Sequence, residues 1–535
     1  MKKDVAESNE SEQVRAVETS DIQTAKEAGE TPPTQHLDGA RLQVVTATIC
    51  LCLFLTNLEI PIVSTSLVSI AGDLGGLEKI YWITTAYMIG YAAACGAAQT
   101  MNQLIIFRAF QGFGGAGNYA ISTIIVTEMV PLEKYAKYVG IIATVFVFSL
   151  LLGPLFGGAI TQHSTWRWVF LLNVPPGVIA AVSLILVLPD GFPFHNSPRK
   201  SESSLLESLK ATYYRIDILG AFSLLAATVL LVAGLDEADE QFAWRSAFTI
   251  TVLVVSGILW ILFVIWERRI TLKGSTMEPV FPWRFLKNRV WISMLLNAVF
   301  LGMTFFVTMF VVPQRFEIVN ELSPFHAAVR FIPFTVLSPV GSMLSPTIAK
   351  VFRVPLWYLL AVGSVVQIIA YALLGTLSNH HDIPARQYGY QVLAGFGCGI
   401  SIPLLSLMTP FATEKRDHDL KNTKLIKYII TSLAVAMGAI AQFRIMGGCI
   451  GLAIATAVQH SYLRSHLGQF LGSNTMKTIL QSTSAIATLP MGTQELVRET
   501  YGASYNLQMK VMAGMAGAQL LTSMMMWQKI PIVAA

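Results

Sequence analysis

The feature that most limits what this chain can fold into is a set of apolar stretches, each about 20 residues long and nearly free of charge, recurring between residues 42 and 526. At 1.5 Å of rise per residue, each is long enough to cross the hydrocarbon of a bilayer as an α-helix. Lipid offers no partner for backbone N–H and C=O groups, so such segments must satisfy their own hydrogen bonds, and an all-α polytopic membrane fold follows. Composition agrees. Hydrophobic residues make up 53% of the chain and charged residues 13%, against about 25% charged in soluble domains.

Candidate spans lie at 42–70, from about Tyr81 onward, and at 104–129, 138–160, 168–188, 216–235 and 247–266. Others lie at 290–312, 327–349, 355–377, 389–410, 433–461 and 507–526, roughly thirteen in all. They divide the chain into a polar cytosolic tail (1–41), a first helix bundle (42–188) and a linker carrying two extra spans (189–289). A second bundle (290–528) and a short cytosolic C-terminus (529–535) complete it. The tail has no apolar core of a signal peptide, so the first span is expected to act as its own insertion signal.

The loops carry the topology. Lys134 and Lys137, then 199–215, 268–289, Lys350 with Arg353, and 414–427 are basic, while 161–165, 236–240 and 379–386 are mixed, acidic or His-rich. Cytoplasmic loops carry the excess Lys and Arg, which places the C-terminus inside. Near the start the rule fails. Two spans after a cytosolic tail put the 99–103 turn in the cytosol and the basic 131–137 loop outside, so one span is expected to be missing from the first bundle.

Several functions are excluded by what the chain lacks. The net charge of +5 is scattered over loops and forms no basic face for nucleic acid. HExxH and HxxxH pairs, a nucleophile elbow and a P-loop are all absent, which argues against an enzyme and against ATP as the energy source. The five cysteines stand in apolar stretches without ligand spacing, and His380-His381-Asp382 is a lone loop cluster, so neither a metal nor another cofactor is expected.

The chemistry is concentrated in two adjacent spans. LIIFRAFQGFGGAG places Arg108 at membrane depth, where a cation faces a cavity or a partner, or else snorkels to the interface. Gln111 and Gly112 follow it. The next span carries GPLFGG, in which Pro154 removes a backbone hydrogen bond and Gly153, Gly157 and Gly158 offer a flat face to a neighbouring helix. WRWVFLLNVPPG then opens the fifth group, with Asn173 among its residues.

Taken together, RAFQG, LGPLFGG and WRWVFLLNVPPG resemble the central motifs of the major facilitator superfamily. Within it the chain is similar to the drug/proton antiporters with about fourteen spans, and to the fungal branch that exports toxins and antibiotics. FLTNLEIPIVSTSL, HAAVRFIPF, QFRIMGGCIGLAIATAV and the last span extend the resemblance from about Val44 onward. It implies two six-helix bundles around a midplane cavity, with the pair at 216–235 and 247–266 as the extra central helices. It also implies export of small organic compounds (a drug, toxin or secondary metabolite) in exchange for protons.

By the same resemblance Arg108, Gln111 and Gly112 belong to the proton-coupling machinery, and Gly153, Pro154, Gly157 and Gly158 form the antiporter motif. Glu59 occupies the place of an acidic residue that binds and releases the proton, or holds the first helix by a local pair. Arg330 and Arg444 are intramembrane cations that, with Asn173, line the cavity or pair locally. A monomer in the plasma membrane is expected, with a vacuolar or vesicular membrane as the alternative.

Two departures stand out. The family's Gly–Asp–Arg-rich loop between its second and third helices is absent, and on the order of 30 residues are missing near 93–95. Residues 419–433 read as an insertion of foreign composition. A non-transporting splice or gene-model variant, or a substrate sensor on the same fold, is therefore the competing expectation.

Overall fold

The computed structural model describes residues 37–64, most of 95–115, 129–187, 217–273 and 283–529, apart from short stretches inside those ranges. Among the described residues there is no β-strand, and nine helices are long and apolar enough to cross a bilayer. The chain opens with α1 (Gly39–Ser64), a helix over 101–109, α2 (Leu132–His163), the short α3 (Arg167–Leu171) and α4 (Val174–Val187). The extra pair is α5 (Ile218–Asp236) and α6 (Ala247–Lys273), followed by the single turn α7 (Trp283–Leu286). Six long helices follow: α8 (Arg289–Ile318), α9 (Pro324–Val351), α10 (Leu356–Leu374), α11 (Arg386–Thr413), α12 (Thr423–Leu467) and α13 (Met491–Met525).

These last six pack on one another around α8, whose membrane window is 83% buried. Small residues set that packing, because helices in lipid associate by close backbone approach rather than by apolar exclusion. A methyl group on Gly302 of α8 would overlap the Arg444 carbonyl of α12, and one on Gly447 of α12 would overlap the Val299 carbonyl of α8. The two backbones therefore touch at reciprocal glycines.

Polar side chains complete the lock. Asn297 Nδ2 reaches the Gln519 carbonyl at 3.0 Å, Thr522 Oγ1 at 3.1 Å and Ser523 Oγ at 2.8 Å, all on α13. Thr304 Oγ1 donates to Gln367 Oε1 at 3.0 Å and Thr308 Oγ1 to Tyr371 OH at 3.0 Å, both on α10. Asn297, Thr304, Thr308 and Arg315 are spaced 7, 4 and 7 residues apart, one stripe along a 3.6-residue helix.

The extra pair is built differently. Asp217 caps α5 by accepting from the Gly220 N–H at 2.8 Å, and accepts from Trp266 Nε1 of α6 at 2.9 Å. The pair rests on the six-helix group through α5 and α12, while α6 is only 17% buried over its window and is left for lipid.

Several boundaries differ from the sequence expectation. The fifth span, expected as one helix over 168–188, is interrupted at Leu172–Asn173, and Pro175 and Pro176 occupy the first turn of α4, where their missing N–H groups cost least. α8 runs past Val312 and through Pro313 to Ile318. α13 starts at Met491, well before residue 507, and α12 starts at Thr423, so part of the apparent insertion is helical and continuous with α12.

Contacts in the first bundle relate its two faces. The Leu37 N–H donates to the Met129 carbonyl at 2.9 Å, which sets the start of α1 beside the start of α2. α1 packs along α2 and also touches α3, so the two run parallel and end on the opposite face. On that far face Arg167 Nη2 donates to the Ala98 carbonyl at 2.9 Å. The 99–103 turn therefore lies on the face opposite the basic 131–137 loop. The expected span near Tyr81 lies outside the described residues.

Candidate functional site

Arg108 stands in the helix that begins at Met101, with 1% of its surface exposed. A guanidinium at membrane depth is costly unless it is bonded. Nη1 donates to Gln111 Oε1 at 2.7 Å, one turn along the same helix. Gln111 Oε1 also accepts from Cys95 Sγ at 3.1 Å, and the Arg108 guanidinium lies 5.3 Å from the centroid of the Phe170 ring. The fold thus brings Arg108 and Gln111 together and adds Phe170 of α3 as an aromatic face for the cation. Gly112 is helical and partly buried beside them.

α3 is held against this helix from its own start. Trp166 is 1% exposed, and the Arg167 guanidinium stacks 4.6 Å from its ring while donating to Ala98. The WRW motif therefore works as a bracket that presses Phe170 toward Arg108. Asn173, at the α3–α4 junction, has both amide atoms buried with no hydrogen-bond partner among the described residues.

The GPLFGG motif sits on α2, with Gly153, Pro154, Gly157 and Gly158 all buried. Its last glycine meets the start of α9. A methyl group at Gly158 would stand 2.7 Å from Phe325 Cα and 2.7 Å from the Pro324 carbonyl oxygen. One turn on, Ser323 Oγ donates to Gln162 Oε1 at 3.0 Å while also capping α9 at His326 N. The motif thus forms a seam between the first helix group and the six-helix group. Thr161 Oγ1 donates to the Gly157 carbonyl at 2.6 Å, within α2 itself.

The remaining expected residues lie elsewhere. Glu59 falls within α1, but its side chain is outside the described residues. Arg330 of α9 donates to Tyr388 OH of α11. Arg444 of α12 sits where its own carbonyl abuts Gly302. The Asn320 amide donates to the His381 carbonyl at 2.8 Å, which gives that loop histidine a backbone role.

Sequence reading missed Arg315. It lies beyond the expected end of its span, and only the continuation of α8 through Pro313 brings it into the protein. The signal available was the stripe Asn297, Thr304, Thr308, Arg315, which keeps helical phase across the proline.

A model of the Major Facilitator Superfamily matches residues 92–236. An MFS-type transporter, FPY5 of Fusarium mangiferae, is 36% identical over 523 positions, covering 92% of this chain and 85% of its own. The efflux pump mlcE of Penicillium citrinum is 26% identical (82% and 80%), and the rubrofusarin-specific efflux pump aurT of Gibberella zeae is 28% identical (82% and 81%). Among solved structures, an inward-facing, unoccupied bacterial homologue of the human lysosomal transporter Spinster aligns with a TM-score of 0.59 at 14% identity, covering 92% of this chain and all of its own. A POT-family peptide transporter in an auto-inhibited form aligns at 0.54 and 12% (92% and 98%). Both structures speak to the fold alone.

The alignment lengths carry one more fact. The 523 positions shared with the Fusarium protein occupy 92% of 535 residues here, so about thirty positions of that relative face no residue of this chain, the length of one span and a turn.

Proposed function

Because this chain belongs to the major facilitator superfamily, we propose that it exports small organic compounds, such as a drug, a toxin or a secondary metabolite, in exchange for protons. It is a multi-pass membrane transporter and not an enzyme. The observation that carries the export reading is that relatives named as efflux pumps align along about four-fifths of both chains. The site supports the coupling. Arg108 is a buried cation beside Gln111 and the Phe170 ring, and a proton-binding carboxylate such as Glu59 would couple to it as the two groups approach and separate.

In this reading the two helix groups rock about the seam at Gly158, and a midplane cavity that includes Asn173, Arg330 and Arg444 opens to alternate faces. The protein works as a monomer in the plasma membrane. The test is efflux of an amphipathic fluorescent dye from cells stripped of their own pumps. Export should stop with a protonophore and should stop in Arg108→Ala at equal expression. Undiminished export in both cases refutes the proton reading.

The thirty unmatched positions favour a second reading, a non-transporting variant or a sensor. Sequencing the native transcript across codons 81–100 and 418–434 separates the two. A longer message restoring the lost span supports the pump, and one identical to this chain supports the variant.

A further inference from the structure

α5 carries an aspartate at each end, and the two stand in opposite surroundings. Asp217, just before its start, has donors: Oδ1 accepts from the Gly220 N–H and from Trp266 Nε1. Asp236, its last residue, is 2% exposed, and neither Oδ1 nor Oδ2 has a hydrogen-bond partner among the described residues. No cation among them pairs with it either.

The neighbourhood of Asp236 works against a negative charge. The last carbonyls of a helix already carry partial negative charge. Glu237, the next residue, adds electrostatic repulsion. The connection to α6 folds back on itself here: the Phe242 N–H donates to the Glu237 carbonyl at 3.3 Å, the Phe242 ring stacks on Phe248 at 4.3 Å, and Ala238 is fully buried. From α12 the Cys449 thiol lies within electrostatic reach of Asp236. From α6, Val252 and Leu253 meet this end of α5 at Gly234. Two turns before Asp236, Thr228 Oγ1 contacts Met446 Sδ at 3.8 Å, so α5 lies directly against α12. A carboxylate deprived of water, donors and a counter-cation is far less stable than the neutral acid.

We propose that Asp236 is a proton-binding site, occupied while α5 rests on α12 and emptied into water when the two helices part. The proton acts as a clasp between the extra pair and the six-helix group. Ionised Asp236 cannot stay in the dry contact, so loss of the proton releases α5, and its return seats α5 again. The seated form binds the proton more tightly, so low pH favours the seated form and rising pH the released one. This goes beyond the export reading, because the proton is bound whether or not a compound is carried.

The first test is infrared spectroscopy of the purified full chain in detergent at neutral pH, with aspartate isotopically labelled at its carboxyl carbon. The spectrum should hold the carbonyl band of a protonated aspartic acid, and Asp236→Asn should remove it. A chain that shows no such band overturns the proposal without recourse to a variant, and so does a band that survives the substitution. The second test reads the clasp. Thr228→Cys and Met446→Cys, in a chain with Cys449→Ala, are joined by a short crosslinker that reacts with two thiols. Rates are compared at the same pH with and without Asp236→Asn, so the pH dependence of the reagent cancels. The two rates should agree at about pH 6, and at about pH 9 the chain that keeps Asp236 should crosslink about tenfold more slowly. A ratio that does not change with pH overturns the clasp.

Discussion

α1 and α8 are both long apolar helices bearing a handful of polar residues, yet among the described residues they use them differently. In α1, Thr46, Thr48, Thr56 and Asn57 each bond back to the carbonyl four residues earlier. In α8, Asn297, Thr304, Thr308 and Arg315 reach across to α10, α13 and the 375–385 connection. The first pattern lets a helix exist in lipid but says nothing about its neighbours, whereas the second fixes register and partner. Burial follows the same division: 83% of the α8 window against 33% of the α1 window. Among the described residues, cross-helix polar contacts, more than hydrophobicity, distinguish α8 from α1.

Six substitutions sharpen or break that contrast, beginning with the largest. Gly302→Val forces α8 and α12 apart and should cost about 3 kcal/mol or more, abolishing the monodisperse peak in fluorescence-detected size exclusion. Gly177→Val in α4, where a methyl group meets nothing within 4 Å, should leave that peak unchanged. If the two behave alike, close packing does not separate the halves.

At the seam between the groups, Gly158→Ala should leave the protein folded but cut dye export at least tenfold, about 1.4 kcal/mol in rate, because Phe325 and Pro324 must give way. Asn297→Leu should lower stability by about 1 to 2 kcal/mol, while Asn57→Leu should stay within about 0.5 kcal/mol, both read from detergent unfolding midpoints. Equal losses at the two asparagines would remove the distinction drawn above. Smallest is Arg167→Leu, expected to cost about 1 kcal/mol through its bond to Ala98 and its stacking on Trp166, measured in the same way.

Much of this was legible in the sequence, because lipid imposes simple lengths and loop charge orients them. The pair α5 and α6, the i to i+3 spacing of Arg108 and Gln111 and the flat glycine face that packs at Gly158 all follow from local pattern. What was not legible has physical causes. Pro313 reads as a helix stop, but in a membrane bundle neighbouring groups take over the lost hydrogen bond, and α8 continues to Arg315. Glu495, Arg498 and Glu499 make the start of α13 look like a soluble loop, although a helix can extend beyond the bilayer with polar turns. Counting spans could not place the 99–103 turn, because the count runs through residues 65–94, whereas contacts of Ala98 and Leu37 set it opposite the 131–137 loop. The Phe170 ring over Arg108 depends on the fold of α3, which local periodicity does not encode.

α12 contains 45 residues, so at 1.5 Å per residue it is about 68 Å long. That is roughly twice the hydrocarbon of a bilayer, so part of the helix stands outside the lipid. A helix is stiff over that distance, so the overhang acts as a lever arm. Any tilt of the six-helix group in the membrane is converted into a sideways sweep of its tip of several ångströms. A fluorophore on Cys-substituted Thr423 would therefore report the group's motion from outside the bilayer, where it is easiest to watch.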